Sequence, residues 1–267
     1  MRLIGEQRVP SVFFLYFREN KLMSAISTTT HIIVFFLAII LMAVIYPVTG
    51  YRQGKSVLKG LYTGNYNKVD WYKKSILWSW IPVFFLFSVM LVTGVTPYGI
   101  GFRLPSAQIN NISPVIFKIS LFASTIYMLY SLYSIISFRI SSKIREHHAA
   151  SVPSRLKYIL PVSKKEKRAW FFLSFTAGFT EEFLYRGYLF FAIPLVFGRL
   201  HPAILILAST LLFAAGHIYQ GKEVIKPSVA GFFLALVYYF TGSLYIVILL
   251  HFLQDLIAGE LLAEPED

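Results

Sequence analysis

Apolar runs long enough to span a bilayer alternate with short polar segments along most of the chain. A membrane-spanning helix takes about 20 predominantly apolar residues, and such runs recur from His31 to the C-terminal region. The pattern predicts seven spanning segments, or eight if Gly187 and Pro194 divide the fourth into two pieces. The segments lie at about 31–48, 75–93, 114–138, 169–197, 202–219, 228–240 and 243–262. We therefore expect an all-α polytopic membrane protein, a bundle of about 7–8 transmembrane helices with a buried cavity.

The polar segments divide the chain into three regions. Residues 1–30 are mixed, and their aromatic run at Val12–Phe17 is too short to span, so this region is expected to lie in the membrane interface. Residues 31–168 hold the first three spans, the first of which is expected to end at Pro47 and Gly50. Residues 169–267 hold the remaining spans.

Composition and charge support a membrane protein. Only 14% of the 267 residues are charged and 56% are hydrophobic, whereas a soluble domain is about 25% charged. The net charge is +12, and about 15 of the 25 Lys and Arg residues fall in two loops, 51–74 and 139–168. Because such residues concentrate in cytoplasmic loops, we expect a multi-pass protein of a cytoplasmic membrane with the lipid bilayer as its partner. No nucleic-acid partner is expected, since motifs for base readout or stacking are absent. The chain has no cysteine, which excludes disulfides and a thiol nucleophile.

One apolar run carries three charges within six residues. Glu181, Glu182 and Arg186 lie in the segment 169–197, where each charge costs about 2.5–3.5 kcal/mol at the membrane centre. Successive helix residues are 100° apart, so Arg186 lies one turn from Glu182 and the two should form an ion pair. This leaves Glu181 as the unpaired acid and the candidate general base or acid.

Two later spans also carry polar residues. His217 follows the small residues Ala214, Ala215 and Gly216, which allow another helix to approach closely. His251 and Asp255 share a helix face one turn apart, so the acid could fix the tautomer of the histidine or coordinate an ion. A lone Glu–Arg pair is often structural, and a single histidine near a helix end is often interfacial. We interpret four histidines as interfacial: His31, His147, His148 and His201.

The three sites together predict an active site in the bundle interior. The predicted depths of two of these residues in the membrane disagree. Glu181 lies about 20 Å along a helix from the expected cytoplasmic end at Ala169, whereas His217 is only a few residues before Lys222, which is also expected in the cytoplasm. The helix after Pro202 could run past Lys222, or the segment at Ala169 could begin in the interface. A site open towards the cytoplasm would reconcile the two depths.

The three motifs, in this order, resemble the CAAX prenyl endopeptidase type II family, also called CPBP or Abi. The resemblance rests on Glu-Glu-x-x-x-Arg at 181–186, Phe-x-x-x-His at 213–217 and His-x-x-x-Asp at 251–255, and it covers about 161–258. It implies that 169–267 is the catalytic helical core and 31–168 a set of accessory transmembrane helices. It also implies an intramembrane endopeptidase that cleaves near the C-terminus of a lipid-modified, CaaX-like or membrane-associated protein.

The resemblance also implies a role for each site residue. Glu181 and His217 would activate the attacking water, and Glu182 and Arg186 would shape the site. His251 and the residue at 255 would stabilise the oxyanion. Many members have Asn at the last position, whereas this chain has Asp255, and an ionised carboxylate cannot donate a hydrogen bond. Asp255 is then protonated, or orients His251, or binds a metal.

Two mechanisms and two other functions stay open. Glu181, His217 and His251 have the chemistry of catalytic zinc ligands, with water in the fourth position. A metal-free enzyme is favoured, because a metal would leave Glu181 without a clear role as base. The alternative functions are a non-proteolytic bacteriocin-immunity or scaffold protein and a transporter, of which the second lacks the expected inverted repeat. The chain is expected to be bacterial, in the inner membrane.

Overall fold

The computed structural model describes residues 21–62, 66–198 and 200–262. Within these ranges all regular secondary structure is helical, as predicted, and no strand occurs. Residues 1–20, two thirds of the predicted interfacial region, lie outside the described residues. The helices of the first half are α1 (Lys21–Ile40), α2 (Tyr46–Tyr62), α3 (Lys68–Thr93), α4 (Pro114–Ile140), α5 (Ser142–Ala150) and α6 (Ser154–Lys157), with a π-helical segment at Leu41–Ile45 and a 3-10 turn at Pro97–Ile100.

The later half begins with a helix that has a complete N-terminal cap. Ser163 accepts a hydrogen bond from the Glu166 backbone, and the Glu166 side chain accepts one from the Ser163 backbone, which forms a capping box. The helices are α7 (Lys164–Glu182), α8 (Leu189–Phe197), α9 (Pro202–Gly216), α10 (Ile225–Thr241) and α11 (Leu244–Glu260), with a π-helical segment at Phe183–Tyr188 and a 3-10 turn at Ile218–Val224.

The first predicted span is longer than the sequence indicated. Helical structure continues from Lys21 through Tyr62, so the predicted end at Pro47 and Gly50 is wrong. A proline clashes with the carbonyl four residues earlier, which is that of Ala43. That carbonyl lies in the π-helical segment, whose wider turn accommodates the ring.

The predicted break within 169–197 is also replaced by a π-helical segment. The chain is helical without interruption from Lys164 to Phe197, and Pro194 lies inside α8. Because α7 starts at Lys164, the helix begins five residues before the predicted boundary at Ala169.

The turn between α9 and α10 excludes one of the two explanations for the conflict in depth between Glu181 and His217. Helix α9 ends at Gly216 and does not run past Lys222. The 3-10 turn that follows packs on α2, where a Cβ atom on Gly50 would lie 3.2 Å from Cδ1 of Tyr219. Since Arg52 and Lys55 follow Gly50 on α2, the turn lies towards the basic end of that helix.

Four described helical stretches are long and apolar enough to cross a membrane: Thr28–Val57, Lys68–Thr93, Pro114–Ile140 and Ile218–Thr241. Large apolar side chains on them are exposed, including Phe84, Val92 and Phe122. Such surface is stable against lipid and not against water. The protein is therefore a multi-pass membrane protein, while the predicted count of seven or eight spans stays a prediction.

Close packing of α7 on α11 positions the candidate site. A Cβ atom on Gly178 would lie 3.1 Å from the backbone nitrogen of Phe252 and 3.2 Å from the Ile248 carbonyl oxygen. Only glycine allows the two backbones to come this close. The contact lies one helical turn before Glu182 and next to His251, so it brings these two side chains within reach.

Candidate active site

Three predicted site residues form one hydrogen-bonded cluster, which we call the buried network: Glu182, Arg186 and His251. Oε1 of Glu182 accepts a hydrogen bond from Nη1 of Arg186 at 2.7 Å and is 2.7 Å from Nδ1 of His251. Glu182 and Arg186 are fully buried, and His251 is 6% exposed. The predicted pairing of Glu182 with Arg186 is confirmed.

The buried network fixes the orientation of His251. A carboxylate beside a guanidinium is ionised and can only accept, so Nδ1 of His251 must be the donor. The other ring nitrogen, Nε2, is 3.9 Å from Oδ2 of Asp255, which is too far for a hydrogen bond. Orientation of His251, one of the predicted roles of Asp255, is thus carried out by Glu182. No motif in the sequence joins these residues, which are 69 positions apart.

The guanidinium of Arg186 is held by three elements. Its Nη2 donates to the carbonyl oxygen of Gly231 on α10 at 2.6 Å, and its Cζ lies 4.7 Å from the ring centroid of Phe213 on α9, a cation–π contact. A Cβ atom on Gly231 would lie 2.8 Å from Cδ1 of Phe213, so only glycine fits there. Gly231 was not identified from the sequence. The pair of small residues Ala230 and Gly231 was the only indication that another element could approach closely there.

Glu181 and His217 form a second cluster, which we call the open pair. Oε2 of Glu181 is 3.9 Å from Nε2 of His217, and the side chains are 27% and 18% exposed. Nδ1 of His217 is 2.9 Å from the carbonyl oxygen of Phe213. Because a carbonyl only accepts, Nδ1 carries the hydrogen, and Nε2 of the neutral ring presents a lone pair to Glu181. Oε2 of Glu181 has no hydrogen-bond partner among the described residues.

Phe213 separates the two clusters. Its ring stacks on His217 at 4.5 Å between centroids and meets the edge of His251 at 5.9 Å. The motif Phe-x-x-x-His thus places one aromatic ring between the two histidines. The structure brings all three predicted motifs together around this ring.

Asp255 is held through its backbone. Nε1 of Trp170 donates to the Asp255 carbonyl oxygen at 2.9 Å, while the carboxylate is 30% exposed. Trp170 links the start of α7 to α11 one turn beyond His251. The sequence did not identify this contact.

Of the four histidines predicted to be interfacial, one is not. His31 is fully buried, and its Nε2 is 2.7 Å from Oγ1 of Thr93. His147 and His148 are exposed, and His201 is exposed and caps α9 through the Ala203 backbone nitrogen.

The arrangement does not form a metal site. Among residues 21–62, 66–198 and 200–262, no three acidic or histidine side chains are close enough together to hold an ion. The bond from Nδ1 of His251 to Glu182 leaves Nε2 of that ring without a hydrogen bond to any described residue. Whether the protein needs a metal stays a prediction.

The comparisons with known proteins agree with the sequence motifs. Residues 166–257 match a family model described as Type II CAAX prenyl endopeptidase Rce1-like, and this range contains every residue of both clusters together with Asp255. Neither the curated proteins nor the solved structures gave a match. Over residues 166–257, about a third of its length, the chain is similar to the type II CAAX prenyl endopeptidase family.

Proposed function

We propose that the protein is an intramembrane endopeptidase whose attacking water is activated by Glu181 and His217. The observation that carries the proposal is the gap of 3.9 Å between Oε2 of Glu181 and Nε2 of His217. Both atoms are acceptors that no other described residue satisfies. A water placed about 2.8 Å from each would donate one hydrogen to each acceptor.

Two acceptors on one water increase its nucleophilicity as it attacks. The water oxygen bonds to the carbonyl carbon of the scissile peptide, and Glu181 takes the proton that is released. The same proton then passes to the leaving amine as the C–N bond breaks. His217 holds the second water hydrogen and keeps the lone pair of the water directed at the carbon.

The oxyanion formed in this step needs a donor on the other side of Phe213. We assign that role to Nε2 of His251 in its protonated form, because Nδ1 is already bound to Glu182. Glu182 and Asp255 then carry the opposite charge on either side of the ring. Asp255 is not the donor in this scheme; it supports the charge on His251.

The substrate class follows from the membrane setting and the family. We propose cleavage near the C-terminus of a lipid-modified, CaaX-like or membrane-associated protein, since a lipid anchor would bring the scissile bond to the bilayer. We further propose that 169–267 is the catalytic core and that 31–168 are accessory transmembrane helices. The site would face the cytoplasm of a bacterial inner membrane.

The test is cleavage of a fluorogenic farnesylated CaaX peptide by the purified protein in detergent. Wild type, Glu181→Gln and His217→Asn are compared with Glu146→Gln and His147→Asn, which change an exposed acid and an exposed histidine on α5. We expect activity in the wild type and both controls and its loss in both site variants. Activity that survives in Glu181→Gln would overturn the assignment of the base.

A chelator added to the wild type decides between the two mechanisms. Activity that survives chelation supports the metal-free mechanism. Activity lost on chelation and restored by zinc overturns it. If the wild type cleaves no peptide but protects cells, and Glu181→Gln protects equally, the non-proteolytic immunity role is supported instead.

A further inference from the structure

A cavity lined by both charged and apolar residues lies at the basic end of the bundle and contains no residue of either cluster. It has a volume of about 350 Å³ and is formed where the end of α4, the start of α7 and the end of α11 meet. We call it the basic cavity. Its charged lining consists of Arg139, Lys167, Arg168 and Glu260.

Glu260 organises the basic cavity. Its side chain is 6% exposed, and its Oε1 accepts from Nη2 of Arg139 at 2.7 Å. Its Oε2 is 2.8 Å from Nζ of Lys167. Both oxygens of the one acid are thereby occupied by cations, which holds the two long side chains in place at the cavity wall.

The lining keeps an excess of positive charge. Three cations face one acid, and Arg168 is exposed and forms no ion pair with any residue that the structure describes. A guanidinium presents five N–H donors in a planar fork that matches phosphate oxygens. The ligand that this lining favours is therefore an anion with several acceptor oxygens.

Apolar residues complete the lining of the basic cavity. Phe171 and Phe172 line it and are 46% and 53% exposed, and Leu256 lies beside them. These side chains follow Arg168 on α7, so charge and apolar surface meet within one helical turn. A free phosphate ion would use only the charged part, whereas a phospholipid would use both.

We propose that the basic cavity binds the phosphate headgroup of an anionic membrane phospholipid, with its acyl chains against Phe171 and Phe172. Basic pockets between transmembrane helices are known to favour such headgroups. The proposal concerns lipid binding and stands whether or not the peptidase mechanism above is correct.

The experiment measures binding of phosphatidylglycerol to the full-length protein in a non-ionic detergent by native mass spectrometry. Wild type is compared with Arg168→Gln and with Lys165→Gln, which removes the same charge from an exposed position on α7 that does not line the basic cavity. We expect roughly fivefold weaker binding for Arg168→Gln, the effect of about one basic residue at a membrane surface, and unchanged binding for Lys165→Gln. Arg168→Lys should restore part of the loss.

Two results would overturn the proposal. Equal weakening in Arg168→Gln and Lys165→Gln would mean that lipid responds only to overall surface charge. In a parallel thermal-shift arm, inorganic phosphate that stabilises the wild type as much as phosphatidylglycerol at equal ionic strength would identify a soluble-anion site. Phosphatidylcholine of the same chain length, which carries no net charge, should bind more weakly than phosphatidylglycerol.

Discussion

The open pair and the buried network are built from adjacent glutamates yet differ in almost every physical respect. Glu182 is fully buried, and one of its oxygens receives hydrogen bonds from both Arg186 and His251. Glu181 is 27% exposed, and its Oε2 is 3.9 Å from Nε2 of His217. Oε1 of Glu182 joins α7 to α11 through His251, while its Oε2 is buried without a hydrogen-bond partner among the described residues. Oε2 of Glu181 also lacks such a partner, but it belongs to a partly exposed side chain next to a histidine, where a water can reach it. Position on the helix separates the two roles.

The largest expected effect is on the open pair. Glu181→Gln keeps the size of the side chain but removes the proton acceptor, so we expect a 10²–10⁴-fold loss of kcat. The thermal unfolding temperature should stay close to that of wild type, because Glu181 makes no hydrogen bond through Oε2 among the described residues. Peptide hydrolysis and thermal unfolding are measured on the same preparation. A large drop in Tm would show that the open pair is also structural.

Removing the cation of the buried network should instead act on stability. Arg186→Met leaves the charge of Glu182 buried beside His251, and breaking a buried pair in this way costs about 3–5 kcal/mol. The double variant Glu182→Gln with Arg186→Met removes both charges and should be less destabilised than the sum of the single variants. Unfolding in mixed micelles measures all three. Strict additivity would mean that the two side chains are not coupled.

His251 combines a structural role with a catalytic one, because it is anchored in the buried network and is proposed to act on substrate. Asn at 251 can still donate to Glu182 but has no group in the position of Nε2. We expect His251→Asn to lose about 10²–10³-fold in kcat, as when one oxyanion donor is removed, with a small change in KM. If kcat is retained, another group stabilises the oxyanion.

The smallest effect is expected at Asp255. Its carboxylate is 30% exposed and 3.9 Å from Nε2 of His251, so water screens its charge. Asp255→Asn should keep activity within about fivefold of wild type, since exposed pairs contribute about 1 kcal/mol or less. Steady-state hydrolysis of the same peptide is the measurement. Complete inactivation would make Asp255 an essential acid and would reopen the oxyanion assignment.

The sequence predicted what depends on local spacing. The pairing of Glu182 with Arg186 follows from residues one turn apart, and the helical class follows from the apolar runs. The bond from Glu182 to His251 depends on how α7 packs against α11, which the pattern of either helix alone does not determine. Gly178 permits that packing, but the sequence does not show which helix lies against it.

Backbone irregularities were the other features that sequence reasoning did not find. Gly187 and Pro194 favoured a broken helix, yet the chain continues through a π-helical segment whose six residues are all buried. Pro47 favoured a helix end, yet a π-helical segment before it makes room for the ring. No pattern of residue types predicts a π-helical turn, because the packing around the turn stabilises it.

The length of α9 has a consequence for the bilayer around the protein. Its 15 residues, Pro202–Gly216, measure about 22 Å along the axis, whereas a hydrocarbon core is about 30 Å thick. A hydrophobic helix shorter than the core makes the bilayer thin beside it. His217 stands at the end of α9, so thinning of the bilayer around a spanning α9 would bring the aqueous phase closer to the open pair. The proposed hydrolysis requires water, and this mismatch would supply a route for it without a long channel through the bundle.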